Sequence, residues 1–177
     1  MKPDHRREPL TQDEMNRLAN GCKNGKEKLV IWTLLDTGIR VEELVTLTSR
    51  EIDWQRHAFA VYGKDTVANG SGHKKRRVVN MPDRIRPLLE SHFAMNDTIG
   101  MTTRTANNIV HRVANRAKIS RPCSPHVLRH SFAVTSLRKG ISLPALQKLL
   151  GHENLKTTAI YLNLQPEEAL AEYQQKW

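Results

Sequence analysis

The spacing of apolar residues along the chain predicts a protein built mostly of helices. Apolar positions recur three and four residues apart over most of the sequence, which is the period of a helix with one buried face. We predict helices near residues 12–20, 26–36, 83–93, 103–118, 125–139 and 141–150, and two shorter ones after residue 152. The predicted helix 26–36 is apolar on most sides, which indicates a buried central helix.

Several boundaries of these helices can be predicted from single residues. Thr11 and Glu14 have the spacing of a capping box, in which each side chain accepts a hydrogen bond from the other residue's backbone. Gly38, Gly140 and Gly151 follow apolar segments, and glycine adopts the left-handed conformation that ends many helices. The helices around residues 30 and 130 are therefore expected to have sharp ends.

One region, residues 51–81, has the pattern of β-strands instead. Short runs of β-branched and aromatic residues are separated by turn residues such as Gly63 and Asn69-Gly70. We predict three strands, Ile52–Trp54, Ala58–Tyr62 and Arg76–Met81. The expected fold class is therefore mainly α, with a small three-stranded antiparallel β-sheet.

The composition fits a globular protein with an anionic partner. The 177 residues are 38% hydrophobic and 26% charged, enough apolar residues for one domain with its own core. The formal net charge of +10 favours a polyanion such as nucleic acid. Charge alone supports that interpretation only weakly, because many basic domains bind no particular anion.

The cysteines and the N-terminus favour a cytoplasmic protein without a metal centre. Cys22 and Cys123 form no CxxC pair, and no HExxH motif is present, so we expect neither a disulfide framework nor a metal site. No apolar run approaches the roughly 20 residues of a membrane span. Residues 1–9 lack the apolar core of a secretion signal.

The stretch from His126 to Tyr161 contains the candidate chemistry. His126, Arg129 and His130 are spaced so that they share one face of a helix. His152 follows the glycine that ends the next helix, and Tyr161 lies on a short helix beyond it. Each of these residues alone would be interpreted as an ordinary packing or surface residue.

Together, these residues resemble the C-terminal motifs of the tyrosine recombinase (phage integrase) family. The family pattern HxLRH, LGH and TTxxY corresponds to residues 126–130, 150–152 and 157–161. Upstream, the segment TGIRVEEL at residues 37–44 resembles the family's first arginine motif. The resemblance covers residues 11–177 and implies the family's catalytic-domain fold, that of the DNA breaking-rejoining enzymes, with residues 1–10 as a flexible lead-in and without the usual N-terminal domain.

The resemblance implies a site that stabilises a phosphodiester under attack. Arg40 and Arg129 would be the two catalytic arginines, suited to grip phosphate oxygens because a guanidinium is planar and always charged. His152 would donate a further hydrogen bond. Glu43 would orient these groups, and His130 would support the structure nearby. The alternative for Arg40 and Glu43 alone is a surface ion pair of little consequence.

The same resemblance assigns the nucleophile and the proton transfers. Tyr161 would attack the phosphorus and form a 3′-phosphotyrosyl link, with His126 as the base. Lys64 would protonate the leaving 5′ oxygen. The sequence departs from the family here, because Asp65 replaces a glycine and the following loop is long, so Lys74 or Lys75 remains the alternative acid. The chemistry requires no metal, no ATP and no other cofactor.

Basic residues outside the motifs are candidates for contacts to the DNA backbone. One group ends the β-region and the other lies along the exposed face of the predicted helix 103–118. The candidates are Lys74, Lys75, Arg76, Arg77, Arg104, Arg112 and Arg116. The alternative is that both groups are solvated surface.

The expected function is site-specific DNA recombination on double-stranded DNA. The resemblance implies a homotetramer on DNA, with a monomer also compatible with free solution. Residues 165–177 would pack either on their own domain or on a neighbouring protomer. Two rival functions are a type IB topoisomerase and a DNA-binding regulator that has lost turnover.

Overall fold

Seven helices and three strands form the part of the chain that the computed structural model describes, residues 8–63 and 76–151. In chain order these are α1 Gln12–Asn20, α2 Gly25–Thr37, α3 Val41–Val45, β1 Ile52–Asp53, β2 Ala58–Tyr62, β3 Arg76–Asn80, α4 Arg86–Phe93, α5 Thr103–Arg116, α6 Pro125–Arg138 and α7 Leu143–Leu150. The chain divides into two compact units, residues 1–132 and 133–177.

The three strands form one antiparallel sheet in the order β1-β2-β3. Phe59 in the central strand lies opposite Ile52 on one side and Val79 on the other, and Val61 lies opposite Arg77. This confirms the predicted fold class, mainly α with a small three-stranded antiparallel sheet.

The predicted helix ends agree closely with the structure where a side chain or a glycine determines them. The Thr11 hydroxyl accepts from the backbone N–H of Glu14, and the Glu14 carboxylate accepts from that of Thr11, so the capping box is confirmed. Gly38 ends α2 in the left-handed conformation, at φ 62°. That conformation lets the chain turn directly from α2 into α3.

The prediction was less accurate at α4, which begins at Arg86 rather than at residue 83. Residues 83–85 form a turn, in which the backbone N–H of Ile85 donates to the carbonyl of Pro82 at 3.0 Å. The proline therefore begins a turn that leads into the helix. The predicted inward residues Ile85 and Leu89 are fully buried.

The first unit is organised around α2, whose side chains are buried on most sides, as its composition predicted. Val30, Ile31 and Leu34 have no exposed surface. Other fully or almost fully buried members of this core are Leu18, Ile39, Leu44, Phe59, Met81, Ile85, Leu89, Ile99, Val110, Val113 and Leu128. The core therefore holds both ends of α2 in place, including the turn at Gly38.

The described part of the second unit comprises the end of α6, a loop and α7. Gly140 in the loop and Gly151 after α7 both adopt left-handed conformations, as predicted for helix ends. Leu146 and Leu150 on α7 are fully buried.

Residues 8–10, which belong to the predicted lead-in, are held against the rest of the first unit. The Leu10 side chain is buried, and its backbone N–H donates to the Ser131 hydroxyl at 2.8 Å. Arg121 donates to the Pro9 carbonyl at 2.7 Å and pairs with Glu8 at 3.2 Å. Residues 1–7 lie outside the described part. No helix among the described residues has the length and apolar composition needed to cross a membrane.

Candidate active site

Arg40 immediately precedes α3 and is fixed there by Glu43. The Glu43 carboxylate accepts the backbone N–H of Arg40 at 2.7 Å and one guanidinium N–H of Arg40 at 3.2 Å. The Glu43 side chain is 3% exposed, whereas that of Arg40 is 36% exposed. The base of Arg40 is therefore held by a buried group while its charged end still reaches solvent.

Glu43 also binds Arg77, from β3. Arg77 donates one N–H to each carboxylate oxygen, to Oε2 at 2.7 Å and to Oε1 in an even closer contact. Burial by itself raises the pKa of the Glu43 carboxyl. The hydrogen bonds and charge of Arg77, with smaller contributions from Arg40, outweigh that effect and lower the pKa overall. Glu43 is therefore an anion held between two cations.

Arg129 reaches the same turn from α6. Arg129 is only 4% exposed, and its guanidinium donates to the carbonyl of Gly38 at 2.5 Å. Gly38 is two residues before Arg40, so their Cα atoms are at most about 7 Å apart. The structure therefore brings Arg129 against the segment that carries Arg40, although the two arginines are 89 positions apart along the chain.

The two histidines of the α6 motif lie on the same helix as Arg129. His126, in the first turn of α6, is exposed, and His130 is partly buried. His126 is three positions from Arg129 and so lies on nearly the same face of α6, whereas His130, one position from Arg129, lies further round the helix. Lys64, His152 and Tyr161 lie outside the described residues, as do Lys74 and Lys75.

The arginines predicted to contact DNA have different surroundings. Arg76 on β3 and Arg104 on α5 are exposed. Arg77 lies beside Arg76 in sequence but is 11% exposed and pairs with Glu43. Their DNA contacts remain a prediction.

Arg112 and Arg116 bind a buried carboxylate that the sequence analysis did not identify, Glu27 in the first turn of α2. Arg116 donates to Glu27 at 2.8 Å and Arg112 at 3.2 Å, and Arg116 also donates to the Gly21 carbonyl. The hydrogen bond from Arg116 is the largest of the effects that lower the pKa of Glu27 to about 2. These arginines therefore hold α5 against the start of α2.

Comparison with known proteins places this arrangement in a family. The model of the phage integrase family matches residues 8–168. The chain is 34% identical to tyrosine recombinase XerA of Saccharolobus solfataricus, over 93% of the chain and 55% of that protein. It is 33% identical to XerA of Thermococcus kodakarensis, over 86% of the chain and 56% of that protein. The chain thus spans a little over half the length of these relatives.

Solved structures show the same fold. A crystal structure of XerA recombinase superimposes with a TM-score of 0.82 at 28% identity, covering 98% of this chain and 66% of that one. XerH recombinase bound to its difH substrate superimposes with a TM-score of 0.76 at 21% identity, covering 98% of this chain and 55% of that one. On the match over residues 8–168, supported by these relatives, the chain belongs to the phage integrase family.

Proposed function

We propose that the chain forms the catalytic part of a site-specific DNA recombinase, which cleaves and rejoins DNA strands through a 3′-phosphotyrosyl intermediate. The observation that carries this proposal is the meeting of two arginines at one turn. Arg129 donates to the Gly38 carbonyl, and Arg40 stands two residues further along, fixed by Glu43. The relatives, which are named tyrosine recombinases, support the same function.

The two guanidinium groups would bind the scissile phosphate. As the tyrosine attacks, negative charge grows on the non-bridging oxygens, and donors already in position stabilise that charge most effectively. Arg129 is buried and anchored, so little reorganisation would be needed. Arg40 keeps an exposed end, which suits a group that receives a ligand from solvent. His152 would add a third donor.

Tyr161 would be the nucleophile and His126 the base that accepts its proton. The pKa of a free phenol is about 10, so at neutral pH the attack requires a proton acceptor or strongly cationic surroundings. The exposure of His126 on α6 is compatible with contact to an incoming group. Lys64 would protonate the leaving 5′ oxygen, with Lys74 or Lys75 as the alternative. Rejoining reverses these steps, and the phosphotyrosyl bond conserves the energy, so ATP is not consumed.

Double-stranded DNA is the proposed partner, and a homotetramer the proposed assembly on it. Structural neighbours of this fold include XerH in complex with its difH substrate. Arg76 and Arg104 are both exposed, which suits residues proposed to contact phosphates. Each such contact should contribute to a salt-dependent affinity.

The direct test is trapping of the covalent intermediate. The substrate is fragmented genomic DNA with random nicks. Where a nick lies shortly 3′ of a cleavage position, cleavage releases a short strand with a 5′ hydroxyl, which diffuses away. Rejoining then cannot occur, so the protein remains attached to the 3′ end. We expect a covalent band with the wild-type protein and none with Tyr161→Phe, and sequencing of the trapped ends would give the target.

The outcomes distinguish the rival functions. A covalent band that persists with Tyr161→Phe would exclude Tyr161 as nucleophile. Relaxation of supercoiled DNA without strand exchange would favour a topoisomerase. A gel shift with no covalent band on any duplex would favour a regulator without turnover.

A further inference from the structure

Arg76 and Arg77 are neighbours in a basic run, but the sheet places them on opposite faces. Arg76 lies opposite Tyr62, which is 43% exposed. Arg77 lies opposite Val61 and shares its face with Val79, both of which are buried. Successive residues of a strand alternate between faces, so only one of the two arginines can face the core. Arg77 is that residue.

A guanidinium on the buried side of a sheet requires a partner, and Glu43 is that partner. Arg77 donates one N–H to each oxygen of the Glu43 carboxylate, at 2.7 Å to Oε2 and closer to Oε1. The side chains are 11% and 3% exposed. Such paired, parallel hydrogen bonds fix the plane of the carboxylate as well as its position. The pair thus ties β3 to the turn of α3.

This arrangement changes what Glu43 can do to Arg40. With both carboxylate oxygens engaged by Arg77, Glu43 holds Arg40 through its backbone N–H and, at 3.2 Å, a single guanidinium N–H. Two guanidinium groups and one carboxylate leave one net positive charge. Without Arg77, the carboxylate would be free to turn fully onto Arg40 and to neutralise the charge that an anionic ligand needs.

We propose that Arg77 is a positioning residue for the reaction rather than a phosphate contact. It orients Glu43 and offsets the negative charge of that carboxylate. Glu43 then holds the backbone of Arg40 while the Arg40 guanidinium remains cationic toward the scissile phosphate. The inference rests on the proposed function, because it needs a phosphate at Arg40, and it differs from the DNA-backbone role that the basic run suggested.

The test separates the rate of cleavage from the affinity for DNA. For Arg77→Gln we measure the single-turnover rate of covalent attachment at saturating nicked duplex, and the dissociation constant at several salt concentrations. Loss of a residue that orients a metal ligand typically lowers metal affinity or activity about 10–100-fold, and by analogy we expect a rate loss in that range when Glu43 loses Arg77. The salt slope of binding should stay that of the wild-type protein. Arg56→Gln, an equal charge change at a side chain that is 86% exposed, is the control.

Two further variants separate orientation from charge and from folding. Arg77→Lys keeps the charge but cannot make the paired hydrogen bonds, so it should recover only part of the rate. Glu43→Gln combined with Arg77→Gln should be no slower than the slower single variant, because both act through Arg40. Circular dichroism and thermal melting identify any variant that has lost its fold, and for such a variant Arg77→Lys provides the decisive rate.

Each outcome decides the proposal. A normal rate in Arg77→Gln with a weaker, less salt-dependent affinity would overturn it and restore Arg77 as a phosphate contact. Rate losses that multiply in the double variant would also overturn it. If the wild-type protein binds DNA without attachment, the proposed function fails separately. A second double variant, Arg40→Gln with Arg77→Gln, is then compared with its single variants through the dissociation constant, and the two losses are expected to be non-additive. A wild-type protein that neither attaches nor binds would remove both proposals.

Discussion

Two buried glutamates, Glu27 and Glu43, have the same burial and the same kind of charged partners but lie in different parts of the fold. Each is 3% exposed, and each accepts hydrogen bonds from two arginines, Glu27 from Arg112 and Arg116 and Glu43 from Arg40 and Arg77. In both cases arginine charge and hydrogen bonds lower the pKa of the carboxyl against the opposing effect of burial. The chemistry of the two clusters is therefore not what distinguishes them.

Their positions in the fold distinguish them. At Glu27, Arg116 also donates to the Gly21 carbonyl, so the cluster joins α5 to the segment between α1 and α2. At Glu43, Arg40 keeps a 36% exposed side chain beside the turn that Arg129 contacts. The first cluster has the geometry of a structural support, and the second that of a binding site. A buried carboxylate with two arginines therefore does not indicate function by itself. Arg112 at Glu27 is even more exposed than Arg40, and it is the nearby contact of Arg129 with the Gly38 turn that marks the Glu43 cluster as a site.

The largest expected difference between the clusters is in catalysis. Arg40→Gln and Arg129→Gln should each lower the single-turnover rate of covalent attachment by about 10²–10³-fold, as expected for loss of one donor to a developing oxyanion. The rate is measured at saturating nicked duplex, and circular dichroism confirms folding. A loss below threefold in either variant would contradict the assignment of that arginine.

The turn that joins Arg129 to Arg40 can be tested through Gly38. In Gly38→Ala the new Cβ would overlap the Phe132 ring, with Cγ at 2.8 Å, in a left-handed conformation that alanine disfavours. Strain and overlap together should lower the free energy of unfolding by about 2–4 kcal/mol, measured by urea denaturation. The attachment rate of the folded fraction should fall as well, because the Gly38 carbonyl that anchors Arg129 is displaced. Unchanged attachment in a destabilised variant would show that this anchor is not needed.

The Glu27 cluster should affect stability instead. Glu27→Gln weakens charged hydrogen bonds to Arg112 and Arg116 and should lower the free energy of unfolding by about 2 kcal/mol. The acid profile sharpens this test. The carboxyl has a pKa of about 2 when folded against an ordinary 4.5, so it stabilises the fold above pH 4.5 and loses that contribution as the pH falls toward 2. Over that pH range the free energy of unfolding should fall less steeply in Glu27→Gln than in the wild-type protein, as measured by urea denaturation at a series of fixed pH values. An identical decline would contradict the assigned pKa.

The smallest expected effect provides a baseline on the helix that connects the clusters. Among the described residues, Thr33 on α2 has the only buried side-chain oxygen or nitrogen without a hydrogen-bond partner. Thr33→Val removes that hydroxyl with little change of shape and should raise the free energy of unfolding by about 1 kcal/mol. Thermal melting measures the gain, and the attachment rate should not change. A lower melting temperature would indicate that the hydroxyl has a partner in solution.

The sequence predicted the fold well where one or two neighbouring residues determine the structure. The capping box of Thr11 and Glu14, the left-handed Gly38 and the three strands follow from local chemistry. The start of α4 was misplaced because a proline suits the first turn of a helix and a preceding turn equally well.

The partners of charged residues could not be predicted in the same way. Glu27 lies 85 and 89 positions from Arg112 and Arg116, and Glu43 lies 34 positions from Arg77. No local pattern connects residues so far apart. The alternation of β3 would have placed Arg77 on the face of Val79, and so predicted a buried partner, but not which carboxylate it is.

The central claim is that Arg40 and Arg129 together stabilise the negative charge of one phosphate, and an uncharged substrate tests it most directly. Once the cleavage position is mapped, a nicked duplex is made with a methylphosphonate in place of the scissile phosphate. Replacement of a charged oxygen by a methyl group removes the need for a cation. The attachment rate of Arg129→Gln, divided by that of the wild-type protein on the same duplex, should therefore be far higher on the neutral duplex than on the charged one. An equal loss on both duplexes would contradict the account.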